Sequence, residues 1–205
     1  MRLLFVCTGN ICRSAAAHVL AAAWPEGHLG VTVEAASAGT HARAGRPVHP
    51  GTKAALQRRG LDGGSHSSRR LSRADLDWAD VVLTMTATHR EAVLALDPRC
   101  LRRTFTLREA AALCAELTPR RLAAVAPGDR GAVLADALAE VRATRRRPAM
   151  EDIEDPIDGP AALHSHAVDE IATALRTLFV AVSRQLSGRN DTMRVPRLPP
   201  VPQRA

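Results

Sequence analysis

The start of the chain constrains its fold more than any other stretch. Leu3-Leu4-Phe5-Val6 is a short, unbroken apolar run, as expected of a strand covered on both faces. Seven residues, Cys7 to Arg13, interrupt it with polar groups and Gly9. An alanine-rich segment then runs from Ser14 to Ala23 and meets a breaker at Trp24-Pro25-Glu26-Gly27. That order of strand, polar loop and helix is the opening unit of a parallel sheet.

The pattern repeats. Residues 31–35 alternate as a second strand, residues 79–85 form a third apolar run, and residues 101–107 read as a fourth strand. Helical patterns fall at 52–59, stopped by Gly60, then around 72–76 and at 88–96. Strands alternating with helices predict an α/β fold, an open parallel sheet joined by right-handed crossovers with helices on both faces. Two further helices are expected at about 108–117 and 129–145, an inserted helical segment spanning about 108–150. The second carries Val133, Leu134, Ala137, Leu138 and Val141 on one face. Acidic residues 151–158 follow, then a final helix from about 164 to 186. One domain over 1–188 and a disordered Arg/Pro-rich tail at 189–205 complete the expected organisation.

Charge raises a nucleic-acid question and goes far to answer it. The net charge is +7, and every basic residue but Lys53 is an arginine. Residues 102–147 hold ten arginines against five acids, and 189–205 hold four against one, so the remainder is close to neutral. There is no tyrosine, and the aromatic set is Phe5, Phe105, Phe179, Trp24 and Trp78, which leaves little to stack bases on. A solvated basic face is the better reading. No run reaches membrane-spanning length, and the apolar start is too short for a signal peptide. Four cysteines, at 7, 12, 100 and 114, make neither zinc-ribbon pairs nor a disulfide framework, so a cytoplasmic protein is expected.

The loop Cys7-Thr8-Gly9-Asn10-Ile11-Cys12-Arg13-Ser14 carries the chemistry. Ligands of open parallel sheets bind at the carboxyl ends of strands, where this loop lies. A tight loop entering a helix turns backbone N–H groups inward and adds the positive end of the helix dipole, a cradle for a phosphate dianion. Arg13 supplies a fork of donors for the equatorial oxygens. Thiols in such electropositive surroundings are the reactive ones, which makes Cys7 a nucleophile for phosphoryl transfer. A Walker A loop is absent: residues 45–51 have the wrong length, and Thr52 precedes Lys53. The departing oxygen needs a proton, and Asp155, in Ile153-Glu154-Asp155-Pro156, is the candidate donor from a separate loop.

These residues resemble the low-molecular-weight protein tyrosine phosphatases. The matching pieces are the Cys7 loop, Ser37-Ala38-Gly39-Thr40, Gly60-Leu61-Asp62 with His66, Ser68-Arg69, Met85 with His89, and the Asp155 segment. The resemblance implies a four-stranded parallel sheet, Cys7 as a nucleophile forming a phosphocysteine, Arg13 as phosphate clamp and Asp155 as general acid and then base. It places Thr8, Gly9, Asn10, Ile11 and Cys12 around the phosphate, with Ser14, Asn10, Ser37 and His66 in support. It also sets Cys12 close enough to Cys7 for a reversible disulfide, and implies neither a metal nor a cofactor.

Substrate is less fixed by the resemblance. Members acting on phosphotyrosine carry aromatics at the pocket rim, where this chain has Ile157-Asp158 and His41-Ala42-Arg43. Ile11 resembles the tyrosine phosphatases, whereas Thr at this place resembles members acting on phosphoarginine. The expected substrate is therefore a phosphorylated protein, with phosphotyrosine ahead of phosphoarginine. A non-catalytic phosphate-binding regulator with a basic partner-binding segment stands as an alternative. Last comes a thiol-coupled arsenate reductase, which needs Cys100 and Cys114 to relay a disulfide.

Overall fold

The computed structural model describes residues 1–24, 32–117, 122–145 and 152–187. Four parallel strands form one sheet: β1 (Arg2–Cys7), β2 (Glu34–Gly39), β3 (Val81–Thr84) and β4 (Thr104–Thr106), in the spatial order β2-β1-β3-β4. Helices α1 (Arg13–Ala22), α2 (Pro50–Gln57), α3 (Arg73–Trp78), α4 (Ala87–Leu96), α5 (Leu107–Cys114), α6 (Arg130–Thr144) and α7 (Ala161–Ser187) connect and flank it. The chain leaves β1 toward β2 on one side and returns to β3 on the other. The carboxyl end of β1 is thus a topological switch point, where a crevice opens.

Alternation along the strands divides the core in two. Leu3, Phe5, Val81, Leu83 and Phe105 face α1, α2, α5, α6 and α7, while Leu4, Val6 and Val82 face α3 and α4. Three of the five aromatics, Phe5, Phe105 and Phe179, are fully buried on the first face, and Trp24 packs edge-on against Phe179 at 4.9 Å. Among the described residues no helix is long and apolar enough to cross a membrane.

Two strand boundaries differ from the sequence reading. The second strand begins at Glu34, because its ladder is set by β1: Arg2 pairs with Glu34 and Cys7 with Gly39. The alternation at 31–35 marked the approach to the strand, and residue 31 lies outside the described residues. The fourth strand is only Thr104–Thr106. Pro98–Arg103 ahead of it is a 3₁₀ helix, with Asp97 accepting from Arg99 N at 3.0 Å. Pro98 lacks the N–H a central strand requires and suits the first turn of a helix. Cys100 therefore sits in a helical turn. The other helices fall within a few residues of their expected bounds. Residues 189–205 of the expected tail lie outside the described residues.

The segment after β4 is built into the core. Leu113 of α5 and Leu134 and Leu138 of α6 are fully buried in the cluster that holds Phe5 and Phe105. Arg142 of α6 stacks over Phe105 at 4.5 Å and donates to Thr104 O of the edge strand and to Leu101 O of the turn before it. Of the ten arginines in 102–147, the six described ones all have partners within the chain. Arg102 pairs with Asp136, Arg108 with Glu170, Arg142 with Glu109 and Arg145 with Glu116. Arg103 and Arg130 donate to backbone carbonyls. Much of the local positive charge is thus engaged internally.

If α6 is integral, Leu138→Ala should lose about 2–5 kcal/mol of unfolding free energy in urea titration. A loss below about 0.5 kcal/mol would show α6 to be an appendage on an independent core.

Candidate active site

The loop from Thr8 to Cys12 joins β1 to α1 at the switch point. It turns at Asn10, the one described non-glycine residue with positive φ, at 53°. Asparagine tolerates that left-handed geometry better than most side chains. Here Asn10 is wholly buried, and every polar group of its side chain is used. Its Nδ2 donates to Ser14 Oγ and Ser37 Oγ, both at 2.9 Å, and its Oδ1 accepts from Arg69 N at 3.0 Å. His66 Nε2 meets Asn10 O at 2.7 Å, so His66 is a brace for the loop rather than a surface histidine. Gly39 permits the close approach. A Cβ there would meet Thr8 O at 2.5 Å and Asn10 N at 2.9 Å.

Cys7 Sγ lies at the floor of this loop, 3.0 Å from Ser14 Oγ and 3.3 Å from Asn10 N. Both partners can donate to a thiolate. Among the described residues, no protein acceptor takes the N–H groups of Gly9, Ile11 or Cys12. These donors and the N-terminus of α1 form an anion cradle. Burial pushes the Cys12 thiol up to about 11, with the neighbouring Thr52 hydroxyl acting in the opposite direction.

Arg13 opens α1 with its side chain 4% exposed. Its guanidinium donates to Ile153 O at 3.0 Å and forms an ion pair with Asp155 Oδ2, while its buried Nε has no partner among the described residues. The Asp155 loop is pinned to the end of the sheet. Ile153 N donates to Met85 O at 2.9 Å, Ala87 N donates to Asp152 Oδ1 at 2.8 Å, and the Ile153 side chain is fully buried. Asp155, distant in sequence, therefore stands over the loop that begins with Cys7. At the rim, Ile157 is exposed, as are His41 and Arg43.

Sequence reading set the Cys7 loop and Asp155 at one sheet edge, and the resemblance added Ser14, Asn10, Ser37 and His66, but neither gave His89 as a brace. It is buried, with Nε2 2.8 Å from Thr8 Oγ1 and Nδ1 2.7 Å from Thr86 Oγ1. Burial, then the Arg13 charge, pushes it down to about 4. The signal was present in Thr86 capping α4 at His89 N, three residues on, but capping does not reveal where the imidazole's far nitrogen reaches. The cysteine relay needed for arsenate reduction is not assembled: Cys100 is buried on the α3–α4 face of the sheet and Cys114 on the opposite face.

A strand, an anion-binding loop with a cysteine at its floor, and an arginine–aspartate pair above it define the class of cysteine-dependent phosphatases. Residues 2–115 match the family model for low molecular weight phosphotyrosine protein phosphatase, and the chain belongs to that family. A low molecular weight protein-tyrosine-phosphatase of Streptomyces coelicolor is 31% identical over 190 residues, covering 92% of this chain and 97% of the relative. A protein-arginine-phosphatase of Geobacillus stearothermophilus is 38% identical over 108 residues, 53% of this chain and 70% of the relative. The solved structure of an arginine phosphatase from Geobacillus stearothermophilus superposes with a TM-score of 0.67 at 28% identity, covering 93% of this chain and 98% of that one.

Two measurements test this architecture. Asn10→Ala would strand Ser14, Ser37 and Arg69 N and force alanine into a left-handed conformation. It should cost about 3 kcal/mol or more in urea unfolding, and a cost under about 1 kcal/mol would contradict the bracing role. His89 bears on acid stability. The unfolded ring takes up a proton as pH falls through about 6.5, whereas the folded ring stays neutral to about 4. The unfolded chain holds the extra proton across that window, so stability should fall as pH drops from about 6.5 to about 4. His89→Gln should shallow that slope, as read from urea midpoints at about pH 4.5 and pH 7.

Proposed function

We propose that this chain hydrolyses phosphorylated protein side chains through a phosphocysteine on Cys7, with phosphotyrosine the favoured substrate. The observation that carries the reading is the meeting of one loop, with Cys7 at its floor and Arg13 at its end, with Asp155 from a distant part of the sequence in contact with Arg13.

In the proposed cycle, a phosphate dianion enters the cradle made by residues 8–13 and takes over Asp155's place on Arg13. Arg13 Nε, buried without another partner among the described residues, is a further donor toward phosphate oxygens. The Cys7 thiolate attacks phosphorus in line, stabilised before attack by Ser14 and Asn10 N. Released from Arg13, the Asp155 carboxylate takes up a proton from solvent and gives it to the departing oxygen as the P–O bond breaks, and phosphate remains on sulfur. Asp155 as carboxylate then takes a proton from water as that water attacks phosphorus, which releases inorganic phosphate and restores the thiolate. Such chemistry suits a reducing, cytoplasmic setting, and all four cysteines are unpaired.

Ile11 supports the tyrosine preference, since its apolar side chain offers an aryl ring a surface and a guanidinium no acceptor. Phosphoarginine is the second reading. It is favoured by a rim without aromatics, by the exposed acids Glu154 and Asp158 beside the site, and by likeness to the arginine phosphatase.

The test is a substrate panel of phosphotyrosine peptides, phosphoserine peptides, phosphoarginine and arsenate. Cys7→Ser should abolish turnover, and retained turnover would end the mechanism. Asp155→Ala should lower kcat on phosphotyrosine by about 10²–10⁴-fold and by less on a substrate whose leaving group needs no proton. Faster turnover of phosphoarginine would replace the substrate assignment while leaving the chemistry standing.

A further inference from the structure

Behind the phosphate loop lies a cluster that the reaction does not use. Cys12, His49 and His164 each offer one donor atom, and the three atoms lie within 4.8 Å of one another. Cys12 closes the loop and is 4% exposed, His49 caps α2 and is half-buried, and His164, in the first turn of α7, is 1% exposed. His164 Nδ1 is 2.9 Å from Thr52 Oγ1, while its Nε2 is buried with no hydrogen-bond partner among the described residues. A buried imidazole nitrogen without a partner carries a desolvation cost unless it has a ligand.

Thr52 makes the arrangement self-consistent. Its hydroxyl is the partner of His164 Nδ1. Thr52 Oγ accepts from His164 Nδ1–H in the tautomer that frees Nε2 to ligate. Nε2 then carries the ring's lone pair. An outer partner that fixes the tautomer of a ligating histidine is a recurring element of metal centres. Gly51 seats the ring, since a Cβ there would meet His164 atoms at 2.5–2.8 Å.

We propose that Cys12, His49 and His164 form a binding site for Zn²⁺ or a similar borderline-soft divalent ion, and that its occupancy slows the phosphatase. One thiolate and two imidazoles suit such an ion and do not suit Mg²⁺ or Ca²⁺, which take oxygen ligands. Donors around tetrahedral zinc stand roughly 3.3–3.6 Å apart, so donors lying within 4.8 Å of one another need close by at most about 1.5 Å. His49 is the ring free to move. It stacks on His164 at 4.6 Å between centroids, and its Nδ1 is held by one bond from Gly51 N of 3.2 Å. On binding, the Cys12 thiol proton passes to solvent, one metal–sulfur and two metal–nitrogen bonds form, and water completes an open fourth position. No electrons are exchanged.

The three ligands come from three pieces of the active-site wall. Cys12 belongs to the phosphate cradle, His49 N donates to Ile11 O at 2.8 Å, and His164 follows the Asp155 loop by nine residues. Any part of the closure taken up by Cys12 shifts the cradle relative to Cys7, and misplacement of about 1 Å costs up to about 10²-fold in rate.

The site itself stands apart from the catalytic assignment, whereas the inhibition rests on it, and the test separates the two. Co²⁺ is titrated into the full-length chain, with the thiolate-to-cobalt charge-transfer band as readout. One ion per chain should bind, with the band kept in Cys7→Ser and lost in Cys12→Ser. Affinity should weaken about 10-fold or more in both His164→Gln and Thr52→Val. Loss of the band in Cys7→Ser, its survival in Cys12→Ser, or unchanged affinity in the folded His164 and Thr52 variants would overturn the site. If His164→Gln does not fold, Thr52→Val decides alone. Zn²⁺ should then lower p-nitrophenyl phosphate turnover in wild type, and less in Thr52→Val, each relative to its own metal-free rate. The cobalt band with turnover unaffected by Zn²⁺ would overturn the inhibition. A metal-free chain without turnover would count against the phosphatase reading and leave the site intact.

Discussion

The left-handed turn at Asn10 is the constraint on which the rest of the site depends. A loop this short must fold its N–H groups toward one point, and the chain does so by placing one residue at φ 53°. That conformation is unfavourable in isolation. It is held by serines from α1 and β2, a backbone N–H from Arg69 and the imidazole of His66. The sheet thus does more than carry the loop: the register that ends β1 and β2 together brings Ser37 and Gly39 beneath it.

The second dependency is the path of the Asp155 loop. It continues the bonding pattern of β3 by donating from Ile153 N to Met85 O, and it buries Ile153 as an anchor. One backbone bond and one apolar side chain bring a residue more than 140 positions from Cys7 into contact with Arg13 at the end of the Cys7 loop. Helices α5 and α6 lie between them in sequence, yet pack in the main core.

Legibility followed the range of the interactions. The first strand, its loop and the helix after it were evident, because an apolar run, Cys7, Gly9 and Arg13 express their roles locally. Helix bounds were close wherever a capping residue such as Ser72 or Thr86 marked them. The second strand was set too early, since its bounds depend on a ladder with β1 that alternation cannot report. The fourth was set too long, because Pro98 turns the chain into a 3₁₀ helix first. Cys12, His49, Thr52 and His164 were invisible as a group, being brought together only by packing of elements far apart in sequence. The same limit applied to Cys100 and Cys114, whose separation along the chain gave no hint that the sheet stands between them.

The contact between Arg13 and Asp155 gives the pocket a resident anion of its own. An incoming ligand must outcompete a tethered carboxylate for the same guanidinium, and the tether gives that carboxylate a high local concentration. Weakly charged metabolites face a threshold that a phosphate dianion, filling the whole cradle, can cross. In the proposed cycle, the displacement that admits the substrate also frees Asp155 to serve as the acid, so occupancy and readiness for chemistry are a single event.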